Sequence, residues 1–101
     1  MIVSFLMPTI DRFEIMKDTW ENNIRTAYGG LTHDVTLELL VCDNGSTDPR
    51  VKEYFNTQPL KYFRANSINE GVGKSVNQLY LRSTGEYIFL MGTIYAWIQG
   101  G

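Results

Sequence analysis

The sequence has few of the features that mark disulfide-rich, nucleic-acid-binding, membrane-spanning or secreted proteins. Its single cysteine, Cys42, can form no internal disulfide, and its apolar neighbours predict a buried thiol in a reducing, cytoplasmic compartment. The formal net charge is only −2, which does not indicate a nucleic-acid surface. No apolar run approaches the roughly 18 residues of a membrane span. The N-terminus, "MIVSFLMPTID", lacks the basic start and long apolar stretch of a signal peptide.

What is present suits one small globular domain. The chain has 101 residues, of which 44% are hydrophobic. A chain near this length buries roughly 65% of its unfolded surface, which is enough for a hydrophobic core. With no internal repeat and no low-complexity linker, the sequence predicts a single domain over residues 1–101.

Four short apolar runs predict strands. "IVSFLM", "LELLVC", "LKYFRA" and "EYIFLM" place them near residues 2–7, 37–42, 60–65 and 86–91. Nearly continuous apolar runs of this length are typical of strands buried on both faces, as in a parallel sheet. We expect the first strand to end at Pro8.

The segments between these runs predict helices. Apolar residues at steps of three or four indicate a helix over about residues 11–28, ended by a pair of glycines. Asp48 suits an N-cap and Pro49 a first helical position, which predicts a short second helix. The periodicity of Val72, Val76 and Leu79 predicts a third helix over about residues 71–83.

The order is therefore β-α-β-α-β-α-β. Such alternation predicts a Rossmann-like, mostly parallel α/β sheet of about four strands with helices on both faces. Ligands of such sheets bind outside the carboxyl ends of the strands. The polar, glycine-rich segments 8–12, 43–48, 65–74 and 92–95 all fall at those ends. The alternative is that they are ordinary solvated loops.

The stretch "NEGVGKSVN" resembles the phosphate-binding loop of ATPases. Gly73, Lys74 and Ser75 match the second half of that pattern, but Ile68 stands where the first glycine belongs. A β-branched residue there resists the positive φ angles that curl the loop around phosphate. The stretch also enters the third helix, whereas a phosphate-binding loop normally follows the first strand. A phosphate-binding loop is therefore kept only as the less favoured alternative.

Four motifs, in order, resemble family 2 glycosyltransferases of the GT-A fold. They are "VSFLMPTIDR", "LLVCDNGSTD", "RANSINEGVGKSVNQL" and "STGEYIFLM", and they span about residues 2–91. The most specific is "DNGSTD" after an apolar strand. The resemblance implies the nucleotide-binding half of such an enzyme, with a UDP-type sugar donor and an unknown acceptor.

The resemblance also implies a set of nucleotide-binding residues. Pro8 and Thr9 would end the first strand against the nucleotide, and Asp11 would lie beside the base or ribose. Asp43 would accept a hydrogen bond from a uracil-type base. Asn44 stands where the family often has a second aspartate, and keeps an acceptor without the charge.

The third motif contributes the other side of the implied pocket. Asn66, Gly71 and Asn77 would frame the far side of the nucleotide, and Lys74 would approach the base or the diphosphate. Each polar residue also has a structural interpretation: Asp43 can begin an Asx turn, and Asn77 can satisfy a loop carbonyl.

The sequence departs from the family pattern in two respects. Family members usually follow the fourth strand with an Asp-x-Asp motif that holds Mg²⁺ or Mn²⁺, whereas this strand runs into Met91, Gly92 and Thr93. Family catalytic domains are also typically more than twice as long. His33 and Asp34 are expected at the opposite end of the sheet, so no catalytic base or metal ligand is assigned.

Two further interpretations remain open. The chain is either a part or short form of such a transferase, inactive by itself, or a non-catalytic binding or assembly module of the same fold. The apolar residues of segment 94–98 are expected to fold back on the sheet or to join two copies of the chain as a homodimer.

Overall fold

The computed structural model describes residues 1–91. Within them, strands and helices alternate in the order β1 (Ile2–Thr9), α1 (Phe13–Gly29), β2 (Thr36–Asn44), α2 (Pro49–Phe55), β3 (Tyr62–Asn66), α3 (Val72–Tyr80) and β4 (Tyr87–Leu90). This confirms the predicted element order. The predicted contact through segment 94–98, and the position of the family's metal motif from Gly92 onward, lie outside the described residues.

The described strands form one parallel sheet in the order β3-β2-β1-β4. The predicted parallel α/β sheet is therefore confirmed. Because all strands run the same way, the ends of β1, β2 and β3 meet at one edge. We call this the carboxyl edge; it comprises Thr9, Asn44, Asn66 and the loops that follow them.

Helices cover both faces of the sheet, as predicted. On one face, α1 and α2 share a core with β1 and β2, which consists mainly of Phe5, Met7, Met16, Trp20, Leu39, Val41, Val51 and Phe55. On the other face, α3 places Leu79 against Leu6, Leu40 and Cys42. Successive side chains of a strand point to opposite faces, so odd and even positions of β1 and β2 divide between these two cores.

β1 continues through Pro8 instead of ending there. Its even-numbered residues direct their backbone groups towards β4, since the carbonyls of Ile2 and Leu6 accept from Glu86 N and Met91 N. The nitrogen of Pro8 therefore points to the β4 side, beyond the last β1–β4 pair at Leu6 and Leu90. Its missing N–H breaks no described ladder bond, and Thr9 remains in the strand, paired with β2.

α1 begins two residues later than predicted. Asp11 and Arg12 have φ values of 46° and 53°, which lie outside the helical region, so the first helical residue is Phe13. Positive φ at consecutive non-glycine residues is uncommon, and such strain clusters at functional sites. α3 is likewise shorter than predicted and ends at Tyr80.

The N-terminus of α2 confirms its predicted cap. The Asp48 carboxylate accepts from Arg50 N at 3.0 Å, with Pro49 in the first turn. The Arg50 guanidinium also bridges Asp48 and Glu14, at 2.7 and 3.0 Å. Hydrogen bonding from Arg50 holds the pKa of Asp48 below its usual value. The starts of α1 and α2 are thus joined beside the carboxyl edge.

Candidate functional site

The strand register places the predicted site residues in two pairs. Thr9 lies opposite Asp43 on β1 and β2, and Asn44 lies opposite Asn66 on β2 and β3. By alternation, Thr9 and Asp43 share the face that α1 and α2 cover, and the two asparagines share the face that α3 covers. The carboxyl edge therefore has two sides with different polar groups.

Asp43 is fully buried and only half satisfied. Its Oδ1 accepts from Ser46 N at 3.0 Å, which is the Asx turn that the sequence allowed. Its Oδ2 has no hydrogen-bond partner among residues 1–91, and the same holds for Thr9 Oγ1 and for Ser75 Oγ on the buried face of α3. Buried side-chain oxygens are normally paired, so these two oxygens on the paired residues Thr9 and Asp43 call for an explanation.

Asp11 joins the first two loops of the edge. Its backbone N donates to Ser46 Oγ at 2.7 Å. Its carboxylate Oδ1 accepts from the backbone N of Thr47 at 2.9 Å and of Asp48 at 3.0 Å. The left-handed conformation of Asp11 therefore orients both groups towards the "GSTD" loop, and this carboxylate is engaged by backbone.

Asn44 joins the second and third loops. Its Nδ2 donates to Asn69 Oδ1 at 2.8 Å and to the Gly71 carbonyl at 3.3 Å. Its Oδ1 accepts from Asn66 Nδ2 and from Glu70 N, both at 3.0 Å. Both ends of this carboxamide are thus fully used by segment 66–71.

Both ends of the Asn66 carboxamide are also used in hydrogen bonds within the protein. Its Nδ2 also lies within hydrogen-bond distance of Gln78 Oε1, at 3.2 Å, and of Cys42 Sγ, at 3.4 Å. Its Oδ1 accepts from Arg64 Nε at 2.8 Å. Cys42 is buried as predicted, and burial raises the pKa of its thiol, which keeps it protonated.

The remaining predicted residues lie on or next to α3, apart from Pro8, which is buried in β1. Gly71 is the N-cap of α3, with φ 87°. Lys74 Nζ is paired with Glu70 Oε1 at 2.6 Å, and this hydrogen bond lowers the pKa of Glu70. Asn77 is exposed, and its side chain makes no hydrogen bond within residues 1–91, so the structure does not join it to the other site residues.

Sequence reasoning missed three participants. Ser46 and Asn69 are the loop side chains that bind Asp11 and Asn44, and Glu70 contributes its backbone N. Serine and asparagine within two residues of a glycine commonly bond nearby backbone in turns, which is the signal that was available. Asp34, in contrast, lies where expected, because its carbonyl accepts from the N-terminus of Met1 at the amino end of β1.

The described carboxylates do not form a metal site. No group of three or more His, Cys, Asp or Glu within residues 1–91 could hold an ion. Asp11 Oδ1 and Asp43 Oδ1 are engaged by backbone N–H groups. Members of this family often use divalent metals, but these residues do not fit one. Also within this range, no helix has both the length and the apolar character to cross a membrane.

Solved structures with a similar fold include TarS from S. aureus. TarS residues 1–349 match with a TM-score of 0.67 at 23% identity, over 91% of this chain and 27% of that one. The same TarS segment in complex with UDP matches with a TM-score of 0.69 at 22% identity, over 92% and 27%. At these identities the likeness shows the fold, and this chain spans about a quarter of the matched TarS segment.

Sequence comparison gives the family. No curated protein sequence is significantly similar to the chain. The family model described as glycosyl transferase family 2 matches residues 4–92. This range includes the loops that follow β1 and β2 and all of α3. This match confirms the resemblance drawn from the motifs, and the TarS structures confirm the GT-A type of fold. The chain belongs to glycosyl transferase family 2.

Proposed function

We propose that the chain binds a nucleoside-diphosphate sugar of the UDP type at the carboxyl edge, for transfer of the sugar to an acceptor. One observation carries this proposal: Asp43 Oδ2 and Thr9 Oγ1, on paired residues of β2 and β1, are both buried and have no hydrogen-bond partner within residues 1–91. A carboxylate oxygen accepts from an N–H group, and a hydroxyl can donate to a neighbouring carbonyl. Uracil offers that pair at N3 and the adjacent oxygen. TarS, which is similar in fold, has been solved with UDP.

The other residues of the edge have supporting roles in this proposal. Asp11 shapes the pocket by fixing the "GSTD" loop through backbone hydrogen bonds. Pro8, the penultimate residue of β1, forms part of the wall on that side, while Asn66, Gly71 and Asn77 frame the side formed by α3. Lys74 supplies a positive charge for the diphosphate, which requires it to exchange its present partner Glu70.

Two further parts of the proposal concern location and association. A cytoplasmic location is supported by the single buried thiol, Cys42. A homodimer through segment 94–98 rests on the apolar sequence of that segment alone. Light scattering on the chain, compared with a version ending at Gly92, tests it: equal monomeric masses would contradict the homodimer.

Asp43→Asn should reverse the preference between uracil and cytosine. The change keeps Oδ1 for Ser46 N but replaces the acceptor Oδ2 with an N–H donor. We expect UDP affinity to fall roughly 10- to 150-fold, the value of a hydrogen bond to a charged group. The affinity for CDP, whose N3 is an acceptor, should fall less than the affinity for UDP, or should rise. Isothermal titration with UDP and CDP measures both.

Asp18→Asn is the matched control, because Asp18 is exposed on α1. It should leave the affinity for both nucleotides unchanged. If Asp43→Asn binds UDP as tightly as the unchanged chain, the proposed contact is wrong. If the unchanged chain binds ATP more tightly than UDP, the phosphate-loop alternative is favoured instead.

We expect the 101-residue chain by itself to bind UDP-sugars without transferring the sugar. Departure of the diphosphate needs charge stabilisation, and a single preorganised contact is worth on the order of a hundredfold in rate. Within residues 1–91, Lys74 is paired with Glu70 and no acidic group fits a metal. Release of UDP from UDP-glucose and UDP-N-acetylglucosamine, with and without Mn²⁺, is the measurement. Turnover that co-purifies with the chain would contradict the expectation.

A further inference from the structure

The carboxamide of Asn44 occupies the centre of a closed hydrogen-bond network. It donates twice, to Asn69 Oδ1 and to the Gly71 carbonyl. It accepts twice, from Asn66 Nδ2 and from Glu70 N. Asn44 is also 5% exposed. Two donors and two acceptors in use leave the side chain no free group for a ligand except through rearrangement.

We propose that Asn44 is a positioning residue: its carboxamide fixes segment 66–71 as one wall of the nucleotide site, and it acts on the nucleotide only through that segment. This inference rests on the proposed function. It differs from the sequence-based expectation, in which Asn44 itself offered an acceptor to the ligand. It also explains why an amide, and not a second carboxylate, stands after Asp43 in this chain.

Segment 66–71, which Asn44 holds, is packed directly against the loop that follows β2. A Cβ built on Gly45 would lie 2.6 Å from the carbonyl carbon of Ile68 and 2.8 Å from Asn69 N. The two loops therefore touch through backbone. A shift of segment 66–71 changes the space between the loops, and so the shape of the proposed site beside Asp43.

A carboxylate cannot replace this amide. It has no donor, so the oxygens of Asn69 and Gly71 would face it without a hydrogen. Rotating the Asn69 amide would not restore the contact, because Asn69 Oδ1 also accepts from Gly71 N at 2.9 Å. A protonated carboxyl recovers one donor. The two facing oxygens therefore favour the neutral form and raise the pKa of a carboxyl at position 44.

The charged groups around this position come from three elements. Asp43 precedes it on β2, and Arg64 on β3 binds Asn66. Glu70 and Lys74 are paired at the start of α3. The thiol of Cys42, held protonated by burial, lies behind Asn66. The nearest anions, Asp43 and Glu70, would also favour the neutral form of a carboxyl at position 44. Arg64 is already bonded to Asn66.

The test compares Asn44→Asp with Asn69→Asp in UDP titrations from pH 5 to pH 8. Both changes add one potential negative charge to the same network. Within residues 1–91, the side chain of Asn69 uses only its Oδ1, as an acceptor, so a carboxylate there keeps both contacts. Dividing each affinity by that of the unchanged chain at the same pH removes the titration of UDP itself.

We expect Asn44→Asp to bind UDP at least about tenfold more weakly at pH 8, and to recover to within about threefold at pH 5. Asn69→Asp should give a ratio that stays flat over this range, because an unperturbed carboxyl titrates near pH 4. Equal, flat ratios for the two variants would overturn the positioning role.

A second measurement separates this inference from the proposed function. In Asn44→Ala, the backbone N–H of Glu70 loses its acceptor, so its hydrogen exchange should accelerate by about tenfold relative to the unchanged chain. This readout needs no nucleotide. Unchanged exchange at Glu70 would refute the positioning role, whereas faster exchange in a chain that binds no UDP would support it and refute the proposed function.

Discussion

Replacing Gly45 with alanine is expected to lower the free energy of unfolding by about 2–5 kcal/mol and to weaken UDP binding. Gly45 has φ +92°, a conformation that strains any residue with a Cβ. The new Cβ would also overlap the backbone of Ile68 and Asn69, which cannot yield as a side chain would. Urea unfolding and UDP titration measure the two effects.

Two other glycines separate strain from overlap. Gly71 has φ +87°, but a Cβ there meets no atom within 4 Å. Gly71→Ala should therefore show the strain alone, about 1–2 kcal/mol. Gly73 lies in α3 with no atom within 4 Å and no positive φ, so Gly73→Ala should stabilise by about 0.5–1 kcal/mol. A Gly45→Ala effect no larger than that of Gly71→Ala would contradict the overlap.

Glu38→Gln is expected to destabilise the fold by about 3 kcal/mol at pH 7. Glu38 is 8% exposed, and its carboxylate receives four hydrogen bonds. Ser4 Oγ and Thr84 N donate to Oε2, both at 2.6 Å, while Lys61 Nζ at 2.9 Å and Thr84 Oγ1 at 2.7 Å donate to Oε1. Glutamine would turn an N–H towards these donors and leave the Lys61 charge without its partner.

The same carboxylate predicts how stability depends on pH. Burial tends to raise the pKa of Glu38, but the hydrogen bonds from Ser4, Lys61 and Thr84 outweigh it and hold the pKa at about 2. Because the folded pKa lies below the ordinary value of 4.5, the stabilisation is fully present above about pH 4.5. It is lost as the pH falls towards 2.

Unfolding of the two proteins at several pH values checks this dependence. The difference in unfolding free energy between the unchanged chain and Glu38→Gln should be largest at neutral pH. It should narrow between about pH 4.5 and pH 2, since a shift of that size corresponds to about 3 kcal/mol. Glu53→Gln, on the exposed side of α2, is the control and should change little. A difference that is constant with pH would contradict the network.

Much of the fold follows from local sequence patterns. The four apolar runs correspond to the four described strands, and α1, predicted from apolar residues at steps of three or four, packs its apolar face on the sheet. Asp48 caps α2, as a residue of its type before proline predicts. These features depend on neighbours within a turn or a strand, so a single sequence contains the information. The family also followed from motifs, because they encode the loops after each strand.

Only the tertiary structure decided which hydrogen-bond partners the polar side chains have. Asp11 binds a loop 36 or 37 residues away, Asn44 one 25 to 27 residues away, and Glu38 reaches Thr84 across 46 residues. Sequence reasoning placed Asp11 and Asn44 at the right edge but pointed both at the ligand, and it gave Glu38 no role at all.

The physical reason is the register of the sheet. Which residue of β1 or β3 stands opposite a given residue of β2 is set by the packing of the whole sheet against its helices. That register puts Thr9 beside Asp43 and Asn66 beside Asn44, and the left-handed turn at Asp11 aims its carboxylate at the next loop. The sequence by itself determined which polar groups gather at the carboxyl edge, whereas the tertiary structure decided which of them bind one another and which buried oxygens have no partner within residues 1–91.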